Sequence, residues 1–229
     1  MITVLERLEQ LISKENVDKI RTKKVAIVGL GGVGGYVVEA LVRSGVEHIV
    51  LIDHDTVDIT NKNRQLIALD STLGMKKVEA WQKRIEDIHS ICHVTALDCF
   101  LTADNIDILD QYDLDYIVDT CDTIATKKAL IMKSLALNIG FISCMGTGKR
   151  LDPSKLSITD IRKTSYDPIA KHLRKFIRDE KITKKIMVVS SQEVPLSTPG
   201  RTVASASFVP ASAGILIASY IIRQIIEND

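Results

Sequence analysis

Lys24-Val25-Ala26-Ile27-Val28-Gly29-Leu30-Gly31-Gly32-Val33-Gly34-Gly35 is the stretch whose reading decides the fold. An apolar, β-rich run feeds into G-x-G-G-x-G, and a helical pattern follows at Tyr36, Val37, Ala40 and Leu41. The physical reading is a strand, a tight glycine turn, and a helix whose unpaired N-terminal N–H groups face a bound anion. A second apolar run, Ile49-Val50-Leu51-Ile52, ends in Asp53. That acid stands about twenty residues after the loop, where a ribose-binding carboxylate belongs. A nucleotide is expected here, and the loop alone does not say which one.

Working outward, residues 4–20 carry helical spacing and suggest a leading helix or two. Residues 54–75 are polar and irregular, and 75–89 return to helical spacing through Val78, Trp81, Ile85 and Ile88. Strands are expected at 94–97, 116–119 and 139–143, with helices at 104–111 and 124–137 between them. This alternation implies an α/β fold, a Rossmann-like, doubly wound and mostly parallel sheet with right-handed crossovers. From about residue 150, strands are expected at 156–161 and 186–190, separated by a basic segment at 162–185 and followed by a closing helix. No linker divides the chain. Residues 1–229 read as one unit, a nucleotide-binding core at 1–145 and substrate-side elements at 146–229.

Composition excludes several classes. The net charge of +1 over 229 residues gives no global field toward nucleic acid, so any RNA contact needs a local basic patch. The four cysteines, Cys92, Cys99, Cys121 and Cys144, form no C-x-x-C pair, which argues against structural zinc and fits reduced thiols. The N-terminus mixes charge with helical periodicity, unlike a secretory leader. The apolar C-terminal run has an uninterrupted core of Gly214 to Ile222, too short to span a bilayer, so a buried helix is expected. The expected location is the cytoplasm, at most peripheral to a membrane.

Ligands of such sheets bind at the carboxyl ends of the strands. Asp53, Asp55, Asp119 and Asp122 all follow expected strands, so four carboxylates could converge there. A dehydrogenase would need a catalytic His, Lys or Tyr at a strand end. The five histidines, His48, His54, His89, His93 and His172, read instead as surface residues. Asn61, Arg64, Lys77, Asp119 and Asp122 fall where a triphosphate would lie. Arg and Lys can offset charge on a pyrophosphate leaving group, and an Asp can hold Mg²⁺ bridging phosphates. That set suits nucleotidyl transfer onto a carboxylate. Cys121 reads as a small buried filler.

Taken together, G-x-G-G-x-G, Asp53-x-Asp55-x-Val57, Asn61-x-Asn63-Arg64-Gln65, Gly74-x-Lys76-Lys77 and Asp119-x-x-Asp122 resemble the E1-like adenylating superfamily, the ThiF, MoeB and ubiquitin-activating group. The resemblance covers about the first 145 residues. It implies ATP and Mg²⁺ as cofactors, with Gly29, Gly31, Gly32, Gly34, Asp53, Asp55, Asn61, Arg64, Gln65 and Lys77 around the nucleotide. It further implies Arg64, Lys77 and Asp122 as catalytic groups, and Asp122 as the metal ligand. Arg7 matches an arginine that in dimers of the group reaches the partner's site, which implies a homodimer.

The C-terminal part narrows the resemblance. Gly146-x-Gly148, Leu151-Asp152-Pro153-Ser154-Lys155, Ile158-Thr159-Asp160, Lys163-Thr164-x-x-Asp167-Pro168 and Ser207-Phe208-Val209-Pro210-x-Ser212-Ala213-Gly214 are similar to the tRNA threonylcarbamoyladenosine dehydratases, the TcdA or CsdL branch. That branch activates the threonyl carboxylate on adenosine 37 of tRNA, which cyclises with loss of water. It implies tRNA as substrate and leaves room for a sulfur-relay protein partner. Clustered Lys and Arg at 162–185 supply a physical reason to expect RNA. Two departures bear on the chemistry: the zinc cysteines of sulfur-carrier adenylyltransferases are missing, and the stretch Val188-Val189-Ser190-Ser191-Gln192-Glu193 holds no thiol for thioester transfer. An adenylyltransferase for a ubiquitin-like carrier and an NAD(P)-binding protein are the alternatives.

Overall fold

The computed structural model describes residues 4–199 and 203–227. Two short helices, α1 (Glu6–Ile12) and α2 (Lys14–Thr22), lead into β1 (Lys24–Val28), α3 (Gly34–Arg43) and β2 (His48–Ile52). After a loop with two single 3₁₀ turns come α4 (Lys77–Ile88), β3 (His93–Leu97), β4 (Tyr116–Asp119), α5 (Ile124–Leu137) and β5 (Gly140–Cys144). The chain closes with β6 (Leu156–Asp160), α6 (Pro168–Asp179), β7 (Met187–Ser191) and α7 (Phe208–Glu227). The helix expected at 104–111 is a 3₁₀ helix at Ile106–Tyr112, stopped by Asp113 in the left-handed region at φ 46°.

The seven strands form one sheet in the order β3-β2-β1-β4-β5-β7-β6. Every pair is parallel except β6 with β7, where Ser157 opposes Ser190 and Asp160 opposes Met187. The order reverses direction between β1 and β4, and ligands of doubly wound sheets bind at that reversal. Val28 pairs with Ile52 on one side and with Asp119 on the other. Gly29, Asp53 and Thr120 therefore leave the sheet at one level, and the register builds the site's floor.

Strand β1 is buried from Val25 to Val28 because helices cover both faces of the sheet, as the unbroken apolar run requires. One layer joins α3, α4 and α7 through Val37, Leu41, Trp81, Ile217 and Ile221. Helices α3 and α7 pack closely: a Cβ at Gly214 would lie 2.5 Å from the Val33 carbonyl oxygen. On the other face, Leu109, Leu114 and Leu130 cover Ala26, Val50 and Ile117. Leu173 and Ile177 of α6 pack nearby with Ile131 and Val188.

The basic segment thus contains an amphipathic helix. Pro168 opens it, the Asp167 carboxylate caps it through the Ala170 N–H at 2.8 Å, and Ala170, Leu173 and Ile177 are buried. Helix α7 satisfies the length and composition of a membrane span, yet half of its most apolar window is buried in the fold. Val209, Ala213, Ile217 and Ile221 form its buried side, while Phe208 and Ile215 are exposed. One histidine departs from expectation. His89 is buried, with Nε2 3.4 Å from Glu47 Oε1, because the end of α4 folds it under the loop before β2. His48 is half-buried and stacks on His93, with ring centroids 5.0 Å apart.

Candidate active site

A cavity of about 310 Å³ opens at the carboxyl ends of β1, β2 and β4. Its wall is the glycine turn, and the glycines divide the work. Gly29 has φ +88°, and a Cβ there would lie 2.9 Å from the backbone of Thr120 and Cys121. A Cβ on Gly34 would collide with the Gly29 carbonyl, so this glycine lets α3 start against the sheet. Thr120 Oγ1 donates to the Gly29 oxygen at 2.6 Å, which pins the turn to the β4 loop. Gly31 is different: the atom nearest to a Cβ there is Gln65 Nε2 at 3.8 Å, so the side facing the cavity is open. No acceptor among the described residues takes the N–H of Gly31 or Gly32. Open backbone donors at the start of a helix suit phosphate oxygens.

Asp53 is buried beneath this turn and engages both of its oxygens. Oδ2 accepts the Leu30 N–H at 2.6 Å and Oδ1 the Asp55 N–H at 2.8 Å. It orders the glycine loop while still lining the cavity. Lys77, the first residue of α4, is buried and does not line the cavity among the described residues. Its Nζ lies 2.6 Å from Asp55 Oδ2 and 3.9 Å from Asp53 Oδ2. Burial pushes the Asp55 carboxyl upward, but the hydrogen bond and charge of Lys77 outweigh it and hold the group below the usual carboxylate range.

Asn61, Arg64 and Gln65 come from one turn on the opposite wall. Asn61 Oδ1 accepts the Asp58 N–H at 3.1 Å and closes the 3₁₀ turn that presents Arg64. Arg64 Nη1 donates to Thr60 O and Asn63 Oδ1, both at 2.9 Å. No carboxylate among the described residues pairs with it, so its charge is unspent at the cavity. Gln65 is buried at the cavity wall, and its Oε1 has no hydrogen-bond partner among the described residues.

Asp53, Asp55 and Asp122 line the cavity together, whereas the fourth expected acid does not. Asp119 is fully buried, and Lys127 Nζ reaches both of its oxygens at 3.1 Å. Lys127 also donates to Ser143 Oγ at 3.2 Å and the Cys144 carbonyl at 2.8 Å. Burial alone would lower its basicity, yet the Asp119 charge holds Lys127 protonated. Asp119 is a floor beam: its Oδ1 accepts the Cys121 N–H at 3.2 Å and shapes the loop that presents Asp122. Asp122 is exposed at the rim, and among the described residues Oδ1 is contacted only by Thr123 Oγ1 at 3.4 Å. Cys121 sits between them, its thiol raised by burial and by Asp119, so it is a protonated filler.

Asp53, His54 and Asp55 carry ligand atoms within 4.8 Å of one another, but both Asp53 oxygens hold backbone N–H groups and Asp55 holds Lys77. Asp122 has free oxygen lone pairs facing the cavity, the donor that Mg²⁺ takes alongside phosphates and water.

Sequence reading missed part of the lining. Phe100 is exposed just past β3, with the His54 ring edge-on at 4.8 Å. Thr147, Ser205 and Pro210 close the far side. Phe100 and His54 had a signal in their positions at the carboxyl ends of β3 and β2. Thr147 and Ser205 had none, since they meet the cavity only through long-range folding. Arg7 lies outside the site, exposed on α1, a helix without a buried residue.

The ThiF family model matches residues 5–227. The chain is 39% identical to the Bacillus subtilis tRNA threonylcarbamoyladenosine dehydratase, over all of this chain and 96% of that protein. It is 38% identical to the Escherichia coli protein of that name over 68% of this chain, a match spanning 58% of the relative. The solved E. coli enzyme TcdA superposes with TM-score 0.89, both with AMP (30% identity) and with ATP (31%), covering 99% of this chain and 98% of that one. E. coli MccB shares the fold alone, at 20% identity and TM-score 0.69 over 65% of its chain. Glycine turn, sheet order and family match agree, and the chain belongs to the ThiF family.

Proposed function

We propose that this protein is an ATP-dependent dehydratase of N6-threonylcarbamoyladenosine at position 37 of tRNA. The observation that carries the chemistry is one cavity lined by the open glycine turn and by Arg64 and Asp122, neither with an ion-pair partner among the described residues. That is a polyanion site with charge to spare for a leaving group. The likeness to the Bacillus subtilis enzyme over the full chain supports the substrate.

In the reaction, an oxygen of the threonyl carboxylate attacks the α-phosphorus of ATP, and the bond to pyrophosphate breaks. The acyl carbon of the resulting adenylate is then attacked by a nucleophile within the same modified nucleoside, and AMP leaves with the former carboxylate oxygen. The net change is loss of water from the nucleoside, with ATP converted to AMP and pyrophosphate. Arg64 would neutralise charge growing on pyrophosphate, and the Gly31 and Gly32 amides would hold phosphate oxygens. Lys77 acts from below by fixing Asp55, and Asp53 fixes the glycine turn. Asp122 would hold Mg²⁺, which offsets phosphate charge when bound.

No thioester step is required. Cys92 and Cys144 have thiols pushed up to about 12, mainly by burial, and Cys121 is raised as well. A sulfur-relay protein would therefore dock as a partner and not as an acceptor of a thioester. The exposed Lys171, His172, Lys175 and Arg178 of α6 offer a basic surface for tRNA phosphates. Arg7, exposed on α1, is suited to completing a second copy's site in a homodimer.

AMP formation from ATP should depend on tRNA bearing the threonylcarbamoyl group, and unmodified tRNA should give none. Pyrophosphate exchange driven instead by a small carrier protein ending in Gly-Gly would replace this reading with sulfur-carrier adenylation.

A further inference from the structure

Arg150 and Asp167 form a buried ion pair that the adenylation chemistry leaves unused. Their side chains are 2% and 0% exposed, with Nη2 3.3 Å from Oδ2. Burial of two charges is costly unless further hydrogen bonds repay it, so what the pair holds is informative. Asp167 Oδ1 accepts the Ala170 N–H at 2.8 Å, and Oδ2 accepts the Gly146 N–H at 2.9 Å. Arg150 donates to the carbonyls of Tyr166 and Glu193, each at 3.2 Å, and to that of Gly146. The knot ties together the segments that leave β5, enter α6 and leave β7.

From this knot the chain runs to the nucleotide cavity. Thr147 lines the cavity, and the Lys149 N–H donates to the Ala204 carbonyl at 2.8 Å. The neighbouring Ser205 carbonyl accepts Asn63 Nδ2 at 2.9 Å, beside Arg64. We infer that Arg150 and Asp167 are positioning residues of the nucleotide site: the pair holds the Thr147–Ser205 wall against the Asn63–Arg64 turn and so sets ATP affinity. The inference rests on ATP being the nucleotide. Neither residue lines the cavity, so both act through the wall. The guanidinium fork is essential to it, because a lysine keeps the charge but cannot reach three carbonyls.

The test uses Arg150→Lys, Asp167→Asn and Asn63→Ala in the full chain, with ATP Kd measured calorimetrically without tRNA and KM measured with it. Asn at 167 still caps α6. All three should raise Kd and KM for ATP about tenfold, since a small misplacement of a positioning wall costs that order of binding. For Arg150→Lys and Asp167→Asn, kcat at saturating ATP should stay within about threefold, because neither residue touches Arg64 or Asp122. Arg150→Lys with Asn63→Ala should give less than the product of the single effects, as both cut one link. A lowered melting temperature with ATP Kd unchanged would overturn the inference. If the buried-pair variants do not fold, an unchanged Kd in Asn63→Ala does the same. A wild-type protein that binds no ATP would instead defeat the proposed function.

Discussion

At the scale of single residues, two cations do opposite jobs. Arg64 is half-buried at the cavity with only neutral oxygens as partners, whereas Lys127 is fully buried against Asp119. Arg64→Ala should cut turnover about 100-fold or more while shifting the melting temperature by only about 2 °C, since it removes charge stabilisation at a leaving group. Lys127→Met leaves a buried carboxylate uncompensated and should lower the melting temperature on the order of 10 °C. Turnover and differential scanning calorimetry on the two variants separate the roles. Equal losses of stability would mean Arg64 is structural.

The Asp55–Lys77 pair predicts a pH effect. The Asp55 carboxyl is depressed in the fold, so its stabilisation is complete above the unfolded carboxylate pKa and is lost as pH falls through the folded value. Lys77→Met should therefore flatten the stability curve below about pH 4, where the wild-type protein loses this contribution. Denaturant titrations at stepped pH would show it. An unchanged acid limb would mean the pair is solvent-screened.

Among elements, α6 carries the clearest separable claim. Its apolar side is committed to the core, while Lys171 and Lys175 are exposed and without an ion-pair partner among the described residues. Lys171→Glu with Lys175→Glu should weaken tRNA binding and reduce the slope of log K against log salt by about 2, with ATP affinity unaltered. Filter binding across a salt series reads both. An unchanged slope would remove α6 from the RNA interface.

Elements were also where sequence was most legible. The run 124–137 matches α5 residue for residue, because the expected strands on either side bound it tightly. The convergence of Asp119 with the other acids failed, since strand-end position does not reveal which side a carboxylate takes. Lys127, eight residues on and on the next helix, and Ser143 of β5 turn it inward. Thr147 and Ser205 were invisible for a similar reason, as contacts such as Asn63 to Ser205 join residues 142 positions apart.

For the whole molecule, α1 is the open account. It exposes Arg7 and Leu11 and buries nothing, an arrangement suited to a second copy. In a dimer with sites completed across the interface, Arg7→Ala and Arg64→Ala would each be nearly inactive alone. Mixed chains should regain activity, up to about one quarter of wild type if half the molecules are mixed dimers with one intact site. No recovery on mixing, with dimers shown by light scattering, would confine Arg7 to its own chain.

This ThiF family protein spends ATP to dehydrate a modified adenosine. The direct measurement incubates the full chain with ATP, Mg²⁺ and tRNA carrying N6-threonylcarbamoyladenosine, then digests the tRNA without base treatment and weighs its nucleosides. Loss of about 18 daltons, one water, is expected from that nucleoside, together with AMP, as adenylation followed by cyclisation requires. Bound ATP with the nucleoside mass unchanged would contradict it.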